Sequence, residues 1–246
     1  MRIALIADVH ANLHALEAVL HDTQAHDAEQ LVCLGDIVGY GAQPRECAEL
    51  LRRLGCLCLM GNHDQYTTSH AFDPVLRNRD IENNPVWAGV KHARAQLAPE
   101  DLAWLENLPT LSTVEGGVIA HASLHDFDQW PYLRTAADAE PTLKMLGGQV
   151  GFFGHTHRQR IFHLPATDPP PEKAPQVFQL PADTGYAITI GSVGQPRDPG
   201  PEAAWTLWDP DERLVSFHRV PYDCTAAAHA ILAANLPSAS ALRLLT

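Results

Sequence analysis

The strongest constraint on how this chain folds is a recurring pattern: a short apolar run, followed at once by a polar loop bearing a metal-capable side chain. RIALIA at 2–7 leads into Asp8, Val9 and His10, LVCLG at 31–35 into Asp36, and LCLM at 57–60 into Gly61, Asn62 and His63. GGVIAHAS at 116–123 carries His121, and VGFFGHTH at 150–157 ends in His155 and His157. Short apolar runs bounded by turn residues read as buried strands. Helical patterns separate the first three. Leu13, Leu16, Ala18, Val19 and Leu20 suit one side of a helix with Asn12 as its cap, and Pro44 opens a helix over 44–54 that Gly55 stops. Strand, loop and helix in repetition predict an α/β sheet whose chemistry lies beyond the carboxyl ends of its strands.

The rest of the chain differs in texture. Residues 65–110 hold helical stretches near 71–79, 84–97 and 99–107, a helical embellishment beside the mouth of the sheet, with Trp87 and Trp104 as packing anchors. The piece 163–181 is rich in proline and charge and reads as an exposed loop or hairpin. From 186 onward YAITIGS, AAWTLWD and LVSFHRV are strand-like and suggest a second, more antiparallel sheet; the Ala- and Leu-rich last 20 residues suggest a terminal helix. A length of 246 residues with 46% hydrophobic content fits one domain over 1–246. A formal charge of -12 repels a polyanionic duplex, so no long nucleic acid is expected as a partner. The absence of an 18-residue apolar stretch argues against a membrane span, and the opening run leads straight into Asp8, as a strand would and a signal sequence would not. Five cysteines without a C-x-x-C pair fit a reduced, cytoplasmic protein. Apolar parts of 71–107 or 226–245 are where a homo-oligomer contact would lie, unless they are core.

Each metal-capable residue alone has a structural explanation: Asp36 as a helix cap, Asn62 as a turn residue, His155 or His157 as a hydrogen-bonded loop residue. Recurrence changes that, because strand ends within a sheet lie together. D-x-H and H-x-H place two ligands on the same side of a locally extended segment. Carboxylate, amide and imidazole together favour manganese, iron or zinc over calcium, and the lack of cysteine argues against a structural zinc module. Asp8, His10, Asp36, Asn62, His121, His155 and His157 are too many for one ion with an open position; they suit two ions sharing a carboxylate. Ser69, Ser123 and Ser192 lie in no motif that marks an activated nucleophile.

The series AspValHis at 8–10, GlyAspIleVal at 35–38, GlyAsnHisAsp at 61–64, His121 and GlyHisThrHis at 154–157 strongly resembles the calcineurin-like metallophosphoesterases, in order and over about residues 1–220. GDIVGYGAQP at 35–44, HASLHDFDQWPYL at 121–133 and GSVGQPRD at 191–198 are similar to the small bacterial and archaeal phosphodiesterases of that superfamily. The resemblance implies an α/β fold, a two-sheet sandwich flanked by helices with a dimetal site at the strand C-terminal ends. It implies two divalent transition-metal ions, manganese first, with iron, zinc or nickel as the other choices. Asp8, His10, Asp36 and His157 would surround one ion and Asp36, Asn62, His121 and His155 the other, with Asp36 as the bridge. His63 would be the unliganded histidine that stabilises charge or protonates the leaving oxygen, with Asp64 orienting its ring. The implied substrate is a small soluble phosphate ester, nucleotide-like esters included, cleaved by a phosphodiesterase. A diadenosine-polyphosphate hydrolase, a protein phosphatase and a non-catalytic regulatory protein retaining the fold are the alternatives.

Departures from the family pattern refine this. Gly39, Tyr40 and Gly41 stand where protein phosphatases of the superfamily have an Asp-Arg-Gly whose arginine grips phosphate, which weakens that alternative. Ala122 follows His121 in place of the usual glycine, and His125 stands where relatives often have arginine. Tyr40 and Tyr132 either line the pocket or pack their loops. Arg197 either braces the 191–198 loop or meets a second phosphate.

Overall fold

The computed structural model describes residues 1–165 and 176–246. In chain order the elements are β1 (Ile3–Ile6), α1 (Leu13–Ala25), β2 (Gln30–Cys33), α2 (Pro44–Leu54), β3 (Leu57–Cys58), α3 (Asn62–Thr68), α4 (Asp73–Leu76), α5 (Pro85–Gln96) and α6 (Pro99–Glu106). There follow β4 (Leu111–Val114), β5 (Gly117–Ala120), α7 (Ala136–Leu146), β6 (Val150–Phe153), β7 (Gln159–His163), β8 (Gln176–Gln179) and β9 (Tyr186–Ile190). The chain closes with β10 (Ala203–Asp209), β11 (Leu214–Val220), α8 (Cys224–Ala233) and α9 (Ser238–Arg243).

Two mixed sheets result, one ordered β3-β2-β1-β10-β11-β8 and the other β4-β5-β6-β9-β7. β1, β2 and β3 run parallel in the first sheet, and β5, β6 and β9 run parallel in the second. Each sheet is covered on both faces, which is why its parallel strands read as unbroken apolar runs. Along β1, Ile3 and Leu5 point between the sheets to meet Ile119, Phe152, Ile188 and Trp208, whereas Ala4 and Ile6 pack under Leu16 and Val19 of α1 and Leu51 of α2. On the other side Phe153 and Ala187 lie under Leu143 and Leu146 of α7. The expected two-sheet sandwich flanked by helices is what forms.

Local signals explain the helices. The Asn12 side chain accepts from the Ala15 N–H at 3.2 Å and caps α1, while Pro44 opens α2 and Gly55 closes it at φ 63°. Several expectations need correction. The helix that follows β3 begins at Asn62 itself, so Asn62 and His63 sit in a first helical turn rather than in a loop. The stretch expected as a helix over 71–79 is α4 between two 3-10 turns, interrupted because Pro74 and the Asn-rich region beyond it cannot sustain a long ladder. The strands from 186 onward do not make a sheet of their own: β9 joins β6 and β7 in one sheet, and β10 and β11 join β1 in the other. β7 and β8 belong to different sheets and so do not pair with each other; most of the segment 163–181 read as an exposed loop or hairpin, residues 166–175, lies outside the described part. The terminal segment is two helices, broken at Pro237. No helix among the described residues is long and apolar enough to cross a membrane.

Candidate metal centre

Every anticipated ligand lies just past a strand end: Asp8 and His10 after β1, Asp36 after β2, Asn62 after β3, His121 after β5, and His155 and His157 after β6. A sixth strand end, that of β9, delivers the 191–198 loop to the same place. Backbone hydrogen bonds tie these ends together across both sheets. Asp8, His10 and Ala11 donate to the carbonyls of Gly35, Asp36 and Ile37 at 2.9 Å each, Gly154 donates to His121 at 2.8 Å, and Gly194 donates to Asp8 at 2.9 Å. All seven residues, with His63 and Asp64, are at most 6% exposed.

The side chains converge in overlapping groups. Asp8, His10 and His157 bring their ligand atoms within 4.8 Å of one another, and so do Asp36, His121 and His155. Asp36 Oδ2 stands between the two groups, 3.6 Å from His10 Nε2 and 3.4 Å from His121 Nε2. Its other oxygen is occupied, accepting from the His63 backbone N–H at 2.8 Å. The Asn62 amide oxygen lies 3.3 Å from His121 Nε2.

Hydrogen-bond accounting supplies a test of whether cations fit. The Nδ1 atoms of His10, His121 and His157 face the carbonyls of Val38 (3.1 Å), Leu34 (2.7 Å) and Gln195 (2.7 Å). Each ring therefore carries a proton on Nδ1 and turns Nε2 to the centre, the arrangement that orients metal-binding imidazoles. His10 Nε2 and His157 Nε2 are 3.1 Å apart, so two lone pairs confront each other. Asp8 Oδ2 is buried with no hydrogen-bond partner. Two ligands on one ion at about 2.1 Å lie roughly 3.0–3.4 Å apart in octahedral or tetrahedral geometry, close to these separations. The donor set fits divalent cations.

The electrostatics agree in direction. Burial drives His10 and His157 well below the ordinary histidine range and takes His155 to about 3. Burial also pushes Asp8 up to about 8, aided by the charge of Asp36. His121 goes the other way: burial lowers it, but Asp36 and Asp8 outweigh that and raise it to about 9. Asp36 is held well below the carboxylate range, its burial outweighed by His121 and His63. Without a cation, protons on Asp8 and His121 neutralise part of this cluster; metal binding would displace them.

His63 and Asp64 are placed differently from each other. The His63 ring lies 4.8 Å from that of His10, and one of its nitrogens comes within 4.8 Å of the ligand atoms of His10 and Asp36, at the edge of ligand range. Its Nδ1 is buried and unpartnered, pressed against the α-carbon of Gly39, where a Cβ would stand 2.2 Å from it. Asp64 does not orient that ring. Its Oδ1 accepts from the backbone N–H groups of Ile37 (3.0 Å) and Val38 (3.2 Å), and Oδ2 from Gly61 (2.9 Å). Its neighbourhood in sequence to His63 misled because the first turn of α3 sends the two side chains apart. Asp64 instead ties the Asp36 loop to the start of α3. A Cβ on Gly61 would lie 2.2 Å from Asp36 Oδ1, so only glycine permits that approach.

Around the cluster, Tyr132 stacks on His155 (4.1 Å between centroids, 19°), and the Arg134 guanidinium lies 3.8 Å over Tyr132. Trp130 meets His121 edge-on at 5.6 Å. The Tyr40 ring contacts His10 (4.7 Å) and His63 (4.6 Å), and its hydroxyl lies near the Arg197 guanidinium. His125 turns outward, half exposed, and pairs with Asp126 at 3.0 Å. The carbonyl partners of the three imidazoles were invisible to sequence reasoning, since any residue supplies a carbonyl. Asp22, His26 and His218 also approach one another, but Asp22 already accepts from Trp205 Nε1 and His26 Nδ1 faces the Asp22 carbonyl, so the group reads as packing around Trp205.

The profile of the family described as calcineurin-like phosphoesterase matches residues 1–159. An uncharacterized protein of Methanocaldococcus jannaschii is 33% identical over 239 residues, covering 96% of this chain and 93% of its own. The crystal structure of a metallophosphoesterase from Sphaerobacter thermophilus superposes with a TM-score of 0.86 at 35% identity, covering 99% of this chain and 98% of that one. A hypothetical protein from Pyrococcus horikoshii gives a TM-score of 0.77 at 19% identity, covering 99% and 97%; that likeness is one of fold.

Proposed function

Since this chain belongs to the calcineurin-like phosphoesterase family, we propose that it holds two divalent transition-metal ions, manganese first among them, and hydrolyses a small soluble phosphate ester, with phosphodiesters as the leading class. The observation that carries this reading is the position of Asp36 Oδ2 between His121 on one side and, on the other, His10, whose Nε2 lone pair confronts that of His157. Asp8, His10, Asp36 and His157 would hold one ion and Asp36, Asn62, His121 and His155 the other. When bound, such ions supply an activated water and neutralise charge on the phosphoryl oxygens. Asp36 contributes the shared negative charge, and the three Nδ1-anchored imidazoles keep their rings from rotating. His63 is the group outside the ligand set that meets the leaving oxygen. Burial lowers its affinity for a proton, so the negative charge of the ester must restore it before His63 donates. No activated serine or cysteine is required.

The test is a manganese-supplemented screen over phosphate mono- and diesters, with bound metal counted per chain, on the wild type and Asp36→Asn. The wild type should hydrolyse at least one diester, and Asp36→Asn should lose bound metal and hydrolysis together. Unchanged occupancy and rate in the variant would defeat the assignment.

A further inference from the structure

We propose that Arg197, held by Tyr40 and Gln195 at the edge of the ligand cluster, binds a phosphate oxygen bearing a second negative charge of the substrate, and thereby selects esters with that charge over plain diesters. The inference rests on the phosphoesterase reading above.

In a chain of charge -12 most cations should find a carboxylate, and many do. Arg52 pairs with Asp101, Arg94 with Asp73, and both Arg160 and Arg219 with Asp198, the residue next to Arg197. Arg197 has none within 4.0 Å among the described residues. Its backbone N–H donates to the His157 carbonyl at 3.0 Å, which fixes the loop against a ligand residue. Among the described residues its guanidinium bonds the Gln195 side-chain oxygen alone, at a long 3.4 Å, with the Tyr40 hydroxyl nearby. It is half buried. A partly desolvated cation is costly without a counter-charge, and the loop that carries this one is bonded to His157 a second time, through the Gln195 carbonyl that faces His157 Nδ1 at 2.7 Å.

Tyr40 completes the grip. Its hydroxyl lies near the Arg197 guanidinium and has a proton to offer an anion. The ring lies against His10 and His63, which places the hydroxyl beside the reacting position. A plain phosphodiester offers one negative charge on two non-bridging oxygens. A phosphomonoester offers a third oxygen and a second charge, and a diester with a neighbouring phosphate offers them one bond further on. Both supply what Arg197 and Tyr40 lack, and within the diester reading the second case singles out diesters that carry a further phosphate.

The test uses manganese-loaded wild type, Arg197→Ala, Arg197→Lys and Tyr40→Phe with three substrates: p-nitrophenyl phosphate, bis(p-nitrophenyl) phosphate and a nucleoside diphosphate ester. In Arg197→Ala, kcat/KM for the monoester or the diphosphate ester should fall about tenfold more than for the plain diester, the scale of one charge-assisted hydrogen bond. Whichever of the two falls identifies the source of the charge. Arg197→Lys should recover part of the ratio, and Tyr40→Phe should lose less of it. By calorimetry, Kd for inorganic phosphate should rise about tenfold in Arg197→Ala with manganese per chain unchanged. Equal losses on all three substrates, an unchanged phosphate Kd, or loss of manganese in Arg197→Ala overturns the inference, the last by making Arg197 a brace. If the wild type hydrolyses none of the three, the phosphoesterase reading fails on its own, and the phosphate Kd still decides the role of Arg197.

Discussion

Asp64→Asn separates a structural brace from a partner of His63. The wild-type carboxylate is fully buried and accepts three backbone N–H groups, from Ile37, Val38 and Gly61, at 3.0, 3.2 and 2.9 Å. An asparagine of the same shape keeps one acceptor oxygen. Its amide nitrogen must then face either the Gly61 donor or the Ile37 and Val38 pair, so one or two buried N–H groups lose their partner. An unsatisfied buried donor costs about 1–3 kcal/mol, relieved in part by relaxation, so a loss of roughly 2–3 kcal/mol is expected in the metal-free protein. For a chain of this size that is a fall in Tm of roughly 5–10 °C. Asp64 also links the loop bearing Asp36 to the helix turn bearing Asn62, so metal affinity should drop about 10–100-fold, as when an outer partner of a ligand is removed. Urea unfolding and a manganese titration measure both. If Asp64→Asn keeps its stability and metal affinity while turnover slows mainly for poor leaving groups, then Asp64 acts through the His63 ring after all, and the hydrogen-bond account is wrong.

Two further outcomes follow from the same geometry. His63→Ala should retain its metals and slow the chemical step by about 10²-fold or more, most for poor leaving groups, as removal of a general acid does; loss of metal per chain would make His63 a ligand. His218 stacks on Trp205 (4.2 Å, 13°), and burial, together with the charge of His26, lowers it to about 4. Since its folded value lies below the unfolded value, its contribution to stability is full above about pH 6.5 and declines as pH falls towards 4. His218→Gln should flatten that part of the stability profile, by an amount reduced by the partial exposure of the ring; an unaltered slope between pH 6.5 and 4 refutes it.

The parallel half of each sheet was legible because burial on both faces leaves its strands no polar alternation, and because function sits at their ends. The runs before Asp8, Asp36, His121 and His155 needed no knowledge of partners. Sheet membership did need it. β9 and β10 have much the same local texture, buried throughout but for Asp209 at the end of β10, yet one pairs with β6 and the other with β1, a choice made by packing across the sandwich. α3 was missed because its cap is Gly61, which has no side chain to announce a helix start; the signal that was present is Asp64 at the third helical position, bonding back to Gly61. β4 was missed because it is an edge strand with every second residue exposed and no chemistry after it. The residues that converge at the strand ends were all visible, but the reason two of them converge within D-x-H and H-x-H was misread.

That reason is conformational. Residues 8–10 and 155–157 are not extended: Asp8, His10, His155 and His157 have φ of 53°, 47°, 60° and 59°, and Asp36 has 53°. Each left-handed residue with a side chain costs about 1–2 kcal/mol, so these five alone hold strain comparable to much of a typical net stability of about 5–15 kcal/mol. Their backbones are secured by the hydrogen bonds that tie the strand ends of the two sheets together. Among side chains that enter this region, aspartate and histidine do so several times more readily than most. The residue types that bind cations are therefore also those that the loop geometry tolerates. A change such as His10→Leu removes a proposed ligand and at the same time places a γ-branched apolar side chain where the backbone disfavours it, so its effect on folding should exceed that of His121→Leu, whose residue is absent from the positive-φ set.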